Sequence, residues 1–171
     1  WDKALNDSTG YDSDIIIIKV KDALLKVKRG EAAYESDSRI YDSIRYSFPV
    51  LCGLLRASVE DEGVLNVLDF GGSLGSSYYQ NKGFLDVCRN LRWNIIEQEK
   101  FVKIGKEIFQ DEQLKFYFSM NECMEVESPN VVLLSGVLQF IEKPYDILRE
   151  IISYRIKYII IDRTYVTDRD K

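Results

Sequence analysis

The sequence predicts an α/β protein in which a parallel sheet is covered by helices on both faces, and three observations carry that prediction. Five short apolar segments follow residue 60, amphipathic stretches separate them, and a glycine-rich turn closes the first. Strands that are apolar on both faces and alternate with helices belong to parallel sheets buried on two sides. A chain of 171 residues is the size of one domain, so a single core is expected.

Ahead of residue 60 the apolar residues recur with a period near 3.6, as in Ile16, Val20, Ala23, Leu24 and Val27, and later Val50, Leu51, Leu54 and Leu55. This spacing predicts an N-terminal helical segment over 1–60, a lid or cap on a core over 61–171. Pro49 suits a first helical turn, where its fixed φ and missing donor cost nothing. From Val64 the pattern changes to VLNVLDF, WNIIEQ, LKFYFS, NVVLLSG and YIIIDRT, five expected strands. Phe101, Val102, Gly105, Ile108 and Phe109 mark one intervening helix. Another is marked by Ile147, Leu148, Ile151, Ile152 and Ile156, with Pro144 opening it.

The formal charge of −5 argues against a nucleic-acid partner, because phosphate backbones call for a basic face. Lys19, Lys21, Lys26, Lys28 and Arg29 interleave with apolar residues at helical spacing and read as a solvated helix face. Cys52, Cys88 and Cys123 form no CxxC pair and have no histidine to join them, so no metal site is expected. They read as reduced, buried core thiols of a cytoplasmic protein. The longest nearly apolar run, Val131 to Ile141, is too short to span a bilayer. Neither end of the chain is expected to be its natural one.

Chemistry concentrates in Val67, Leu68, Asp69, Phe70, Gly71, Gly72, Ser73, Leu74 and Gly75, an acid at a strand end that runs into glycines. A helix is expected to start near Ser76. Glycines permit positive φ and close approach of a ligand to the backbone, and the helix start offers N–H groups suited to a carboxylate or phosphate. A dinucleotide fingerprint needs glycines at the first, third and sixth places, and from Gly71 the third and sixth are Ser73 and Ser76. An acid two places before the first glycine instead resembles the DxGxGxG pattern of class I methyltransferases, with Ser73 in place of the middle glycine.

That resemblance implies a Rossmann-like fold and S-adenosyl-L-methionine as cofactor. It implies that Glu97, with Gln98 beside it, holds the ribose hydroxyls after the second strand. Ser119, Met120 and Asn121 fall where such enzymes contact adenine, although Met120 reads equally well as core. Ser135 and Gly136 line the expected cleft beyond the carboxyl ends of the strands.

Over nearly the whole chain, GYDSDIIIIKVKDALLKVKRGEAAYESDS, VLDFGGSLGSSYYQNKGFL, LRWNIIEQEKFVKIGKEIF and YIIIDRT resemble a family of methyltransferases encoded among bacterial surface-polysaccharide genes, such as those for O-antigen or capsule. This implies a small-molecule or glycan acceptor. Family members continue past the fifth strand with an antiparallel strand pair, which is expected to be missing from a chain that stops at Lys171.

With no histidine in the chain, removal of an acceptor proton falls to a carboxylate, a tyrosine or water. Asp162, Tyr34 and Tyr11 are the candidate catalytic residues, with Glu35 and Asp37 nearby, and Arg163 is suited to an anionic sugar or phosphate. Two other function classes share the pattern: a module that binds the cofactor without catalysis, and a nucleotide-sugar- or NAD-binding enzyme.

Overall fold

The computed structural model describes residues 14–165; Tyr11 lies outside them. Five strands form one parallel sheet: β3 (Val64–Phe70), β4 (Asn90–Ile96), β5 (Leu114–Tyr117), β6 (Val131–Ser135) and β7 (Tyr158–Asp162). Their order is β5-β4-β3-β6-β7, with every pairing parallel. The chain thus starts in the middle strand, builds outward through β4 and β5, then returns to the other side of β3 for β6 and β7. Ligands of such sheets bind where the order reverses, beyond the carboxyl ends of the strands, and here that point lies between β3 and β6.

Side chains alternate across β3. Leu65 and Val67 enter a core built with Leu24 of α1 (Asp14–Lys28), Leu54 of α2 (Phe48–Glu60), Tyr78 of α3 (Ser76–Leu85) and Phe101 of α4 (Glu99–Ile104). Leu68 enters the opposite core, with Cys123 of α5 (Met120–Val126) and Ile151 of α6 (Pro144–Ser153). Each fully buried Leu or Phe contributes about 1.5–3 kcal/mol from burial, so both faces of the sheet are fixed by the apolar runs visible in the sequence. Within the sheet, Asn94 Nδ2 donates to Asn66 Oδ1 (2.6 Å) and to the Val67 carbonyl (3.0 Å), and the amino-terminal end is held by Asn130, which precedes β6. Asn130 Nδ2 there donates to Asp61 and to the Val64 carbonyl.

The N-terminal segment departs from the expected run of helices. Gly30, at φ 75°, ends the α1 region, and a hairpin of β1 (Tyr34–Ser36) and β2 (Arg39–Tyr41) follows. Asp37 and Ser38 make its turn with φ of 50° and 65°, a conformation that short polar side chains tolerate through local hydrogen bonding. The cysteines also divide. Cys123 is buried and Cys88 half-buried, but Cys52 is exposed, because Val50, Leu51 and Leu54 take the inward face of α2. Among the described residues no group of His, Cys, Asp and Glu is arranged to hold a metal. None of their helices is long and apolar enough to cross a membrane.

After α4 the helix widens into one π turn over Gly105–Phe109, with Gln110 N–H donating to the Gly105 carbonyl at 2.8 Å. A Cβ at Gly105 would stand 2.4 Å from the ring of buried Phe116 in β5. Gly105→Ala is therefore expected to destabilise the fold by about 1–3 kcal/mol, the usual cost of overpacking. A urea unfolding curve with an unchanged midpoint would show that Phe116 yields without cost.

Candidate functional site

The carboxyl ends of β3, β4, β6 and β7 present Asp69, Glu97, Ser135 and Asp162 along one edge of the sheet. Asp69 is buried and accepts a hydrogen bond from Trp93 Nε1 at 2.9 Å. The chain then reverses through Gly71 (φ 73°), Ser73 (φ 55°) and Gly75 (φ 109°), and α3 begins at Ser76. Gly72 is required by space: a Cβ there would fall 2.6 Å from the Asp69 carboxyl group. One on Gly71 would fall 2.5 Å from Val137, which follows β6. The turn therefore packs against both the acid beneath it and the neighbouring strand's exit.

Glu97 stands on the β4 side of this turn. Its carboxylate accepts from Gln98 N–H at 2.6 Å and from the Ser73 backbone. Burial, more than these bonds, sets its titration and pushes the carboxyl up. Gln98 itself is exposed. The Ser73 hydroxyl is buried and has no hydrogen-bond partner, an orphaned donor and acceptor at the centre of the turn. The half-buried Glu97 carboxylate, the unpartnered Ser73 hydroxyl and a turn without room for a Cβ at residues 71 and 72 together suit a ligand carrying vicinal hydroxyls.

The three residues after β5 are more committed to the fold. Ser119 caps α5, its Oγ accepting from Glu122 N–H at 3.1 Å. Met120 is buried against Ile96 and Tyr117. Asn121 Oδ1 accepts from the Tyr154 hydroxyl at 2.5 Å. Glu97 N–H reaches the Tyr117 carbonyl at 3.3 Å, which brings this end of β5 beside the glutamate.

On the β6 side the sequence candidates Tyr34, Ser135, Asp162 and Arg163 converge on a cavity of about 210 Å³. Asp162 accepts from Ser135 Oγ at 3.1 Å and from Ser47 Oγ at 3.4 Å. Ser47 precedes α2 as its N-cap residue yet makes no capping bond, so its hydroxyl is available to the aspartate. Arg163 (φ 50°) folds back so that its Nε donates to Ser135 Oγ at 3.2 Å. Tyr34 is nearly buried, and that burial raises the phenol above its ordinary value. Tyr46 and Val50 add apolar surface to the wall, and Ser47, Arg45, Ser77 and Gln80, which also line it, were not singled out from the sequence. The Ser-Phe-Pro order at 47–49 was the available signal for Ser47, since it marks a helix start.

The amino terminus of α3 has a carboxylate neighbour from outside the turn. The Glu35 carboxylate, from the hairpin, already accepts from the Ser76 hydroxyl there and from Ser38 N–H at 3.3 Å. Its burial raises its pKa. Asp37 belongs to the hairpin turn.

No family model matches the chain, and no curated protein matches it. Among solved structures it is similar to the mitomycin 7-O-methyltransferase MmcR, with 18% identity and a TM-score of 0.47 over 72% of this chain and 38% of that one. It is also similar to the N-terminal domain of EvdMO1 in the presence of SAH and D-fucose, with 15% identity and a TM-score of 0.44 over 90% and 66%. With EvdMO1 itself the identity is 14% and the TM-score 0.44, over 86% and 35%. The chain thus spans between about a third and two thirds of the length of these proteins.

Burial raises Asp69 from 3.8 to about 7; the Trp93 bond opposes this and the Glu97 charge adds to it. The folded state then keeps a proton that the unfolded chain releases, so this contribution to stability is full below about pH 4 and is lost as pH rises through 7. Glu35 and Glu97, also raised, act in the same direction. Asp69→Asn, which retains an acceptor for Trp93, is expected to flatten the fall in stability between pH 4.5 and 8. Urea midpoints measured across that range with an unaltered slope would mean that Asp69 is ionised throughout.

Proposed function

We propose that the chain is the cofactor-binding core of an S-adenosyl-L-methionine-dependent methyltransferase whose acceptor is a small molecule or glycan, in the synthesis of a surface polysaccharide. The observation that carries this reading is the pairing of a glycine-rich turn packed over Asp69, whose Ser73 hydroxyl is orphaned, with Glu97 bonded to that turn's Ser73 backbone. Glu97 would hold the ribose hydroxyls, Gln98 would flank it, and the peptide groups of Gly71, Gly72 and Gly75 would lie against the rest of the ligand. Ser119, Met120 and Asn121 would border the adenine, with Met120 supplying apolar surface from below. When bound, S-adenosyl-L-methionine supplies an electrophilic methyl group on its sulfonium.

The chain's own residues contribute alignment and a proton acceptor. Alignment of two reactants supplies about 7–11 kcal/mol of barrier lowering in favourable cases. Asp162 is the better proton acceptor of the two described candidates. Its side chain is 21% exposed and held by two hydroxyls. The Tyr34 phenol is pushed further from neutrality by burial, which makes it harder to ionise. Ser135 then orients the aspartate.

Calorimetric titration with S-adenosylhomocysteine is expected to give micromolar binding, with none for NAD or UDP-glucose. Glu97→Ala is expected to weaken that binding by about 1.5–3 kcal/mol, the loss typical of hydrogen bonds to a charged group. Absence of binding by a folded sample would overturn the reading, and an unchanged affinity in the variant would remove Glu97 from it.

A further inference from the structure

The cavity between the first turn of α3 and the ends of β6 and β7 lies on the other side of β3 from Glu97 in the strand order. At about 210 Å³ it is below the ~300–1,000 Å³ of pockets for drug-sized ligands, so its occupant has the dimensions of a single sugar ring or less. Its wall mixes hydroxyls from Ser47, Ser77 and Ser135 with Tyr34, Tyr46 and Val50, and two arginines, Arg45 and Arg163, line it with one carboxylate, Asp162. Charge pairing inside it is uneven. Arg163 Nε lies 3.9 Å from Asp162 Oδ2, so these two largely offset each other. Arg45 has no ion-pair partner among the described residues. Its guanidinium lies 4.6 Å from the Tyr41 ring centre, against the ring face, and its carbonyl accepts from Gln80, which fixes both ends of the residue. Glu35 is buried and accepts from the Ser76 hydroxyl. Among the described residues Arg45 is thus the lining cation without an ion pair, in a chain of net charge −5.

We propose that this cavity takes a small hydroxyl-bearing anion, its carboxylate or phosphate group held by Arg45 with help from Arg163 and its hydroxyl by Asp162. Planar guanidinium groups match both oxyanions bidentately. Asp162, already accepting from two serines, has remaining lone pairs for a third hydroxyl. This names the acceptor class for the proposed methyl transfer and rests on that reading.

The test is an amide-resolved NMR titration of the chain, at constant ionic strength, with D-glucuronate, D-glucose 6-phosphate and neutral D-glucose. Saturable shifts at Ser135, Gly136 and Arg163 are expected with at least one of the two anions, and the stronger of them tells carboxylate from phosphate. Glucose is expected to bind at least tenfold more weakly. Arg45→Gln, a change at an exposed position, is expected to weaken the anion at least tenfold and leave glucose unaffected. No saturable response to either anion, an equal response to glucose, or an unaltered affinity in the variant would each overturn the proposal. A companion titration with S-adenosylhomocysteine, read at Ser73 and Gln98, separates the two readings. Response there without an anion response sinks the acceptor class alone. An anion response without one there supports the anion site and removes the methyltransferase assignment.

Discussion

The hydrogen bond from Trp93 to Asp69 is the constraint around which the rest of the site is arranged. It joins the two central strands at a level where both are buried, and it sets a carboxyl group directly under the point where the chain must reverse. Because that carboxyl group occupies the space above the strand end, residue 72 has no room for a side chain. The exit of β6 closes against the first glycine of the turn in the same way. A glycine-rich turn here follows from what lies below and beside it, and its openness toward solvent is a by-product of crowding on the other side.

That crowding also divides the carboxyl edge into two unlike halves. On the β4 side, hydrogen bonding is directed inward, from the Ser73 and Gln98 amides to Glu97. On the β6 side the arrangement depends on the hairpin and on the segment before α2, elements remote in sequence from the sheet. Ser47 reaches Asp162 across 115 positions, and Tyr34 and Arg45 close the wall. A sheet alone would leave Asp162 at the edge of an open ledge; the N-terminal elements make that ledge a cavity.

The parts of this arrangement that the sequence exposes are those governed by local pattern. The five apolar runs, the glycine turn, the start of α3 at Ser76 and the placement of Pro49 and Pro144 in first helical turns all follow from spacing and backbone chemistry, and the structure has each of them. The hairpin was not legible, because strands of three residues are too short to display alternation and their turn uses Asp-Ser in place of a glycine pair. The roles of Trp93, Ser47 and Arg45 were hidden for a different reason: each depends on a partner brought near by the strand order, which no local window contains. Cys52 illustrates the converse, since its residue type suggested burial and its position on α2 decided otherwise.

Three carboxyl groups, Asp69, Glu35 and Glu97, surround the glycine turn, and burial raises each of them. Such a cluster disfavours a second anion, since each added negative charge meets groups already short of solvation. It favours a cation, which recovers Coulomb energy from carboxylates that water screens poorly. At the start of α3, where a pyrophosphate would seek free N–H groups, the Glu35 carboxyl group stands beside the Ser76 hydroxyl. The electrostatics of the turn thus agree with a sulfonium-bearing ligand and oppose a dinucleotide. Under the proposed reading the cationic donor lies against Glu97 and the turn, and the anionic acceptor beside Arg45 and Arg163 on the other side of β3. Their attraction then acts across the strand end where the two must meet.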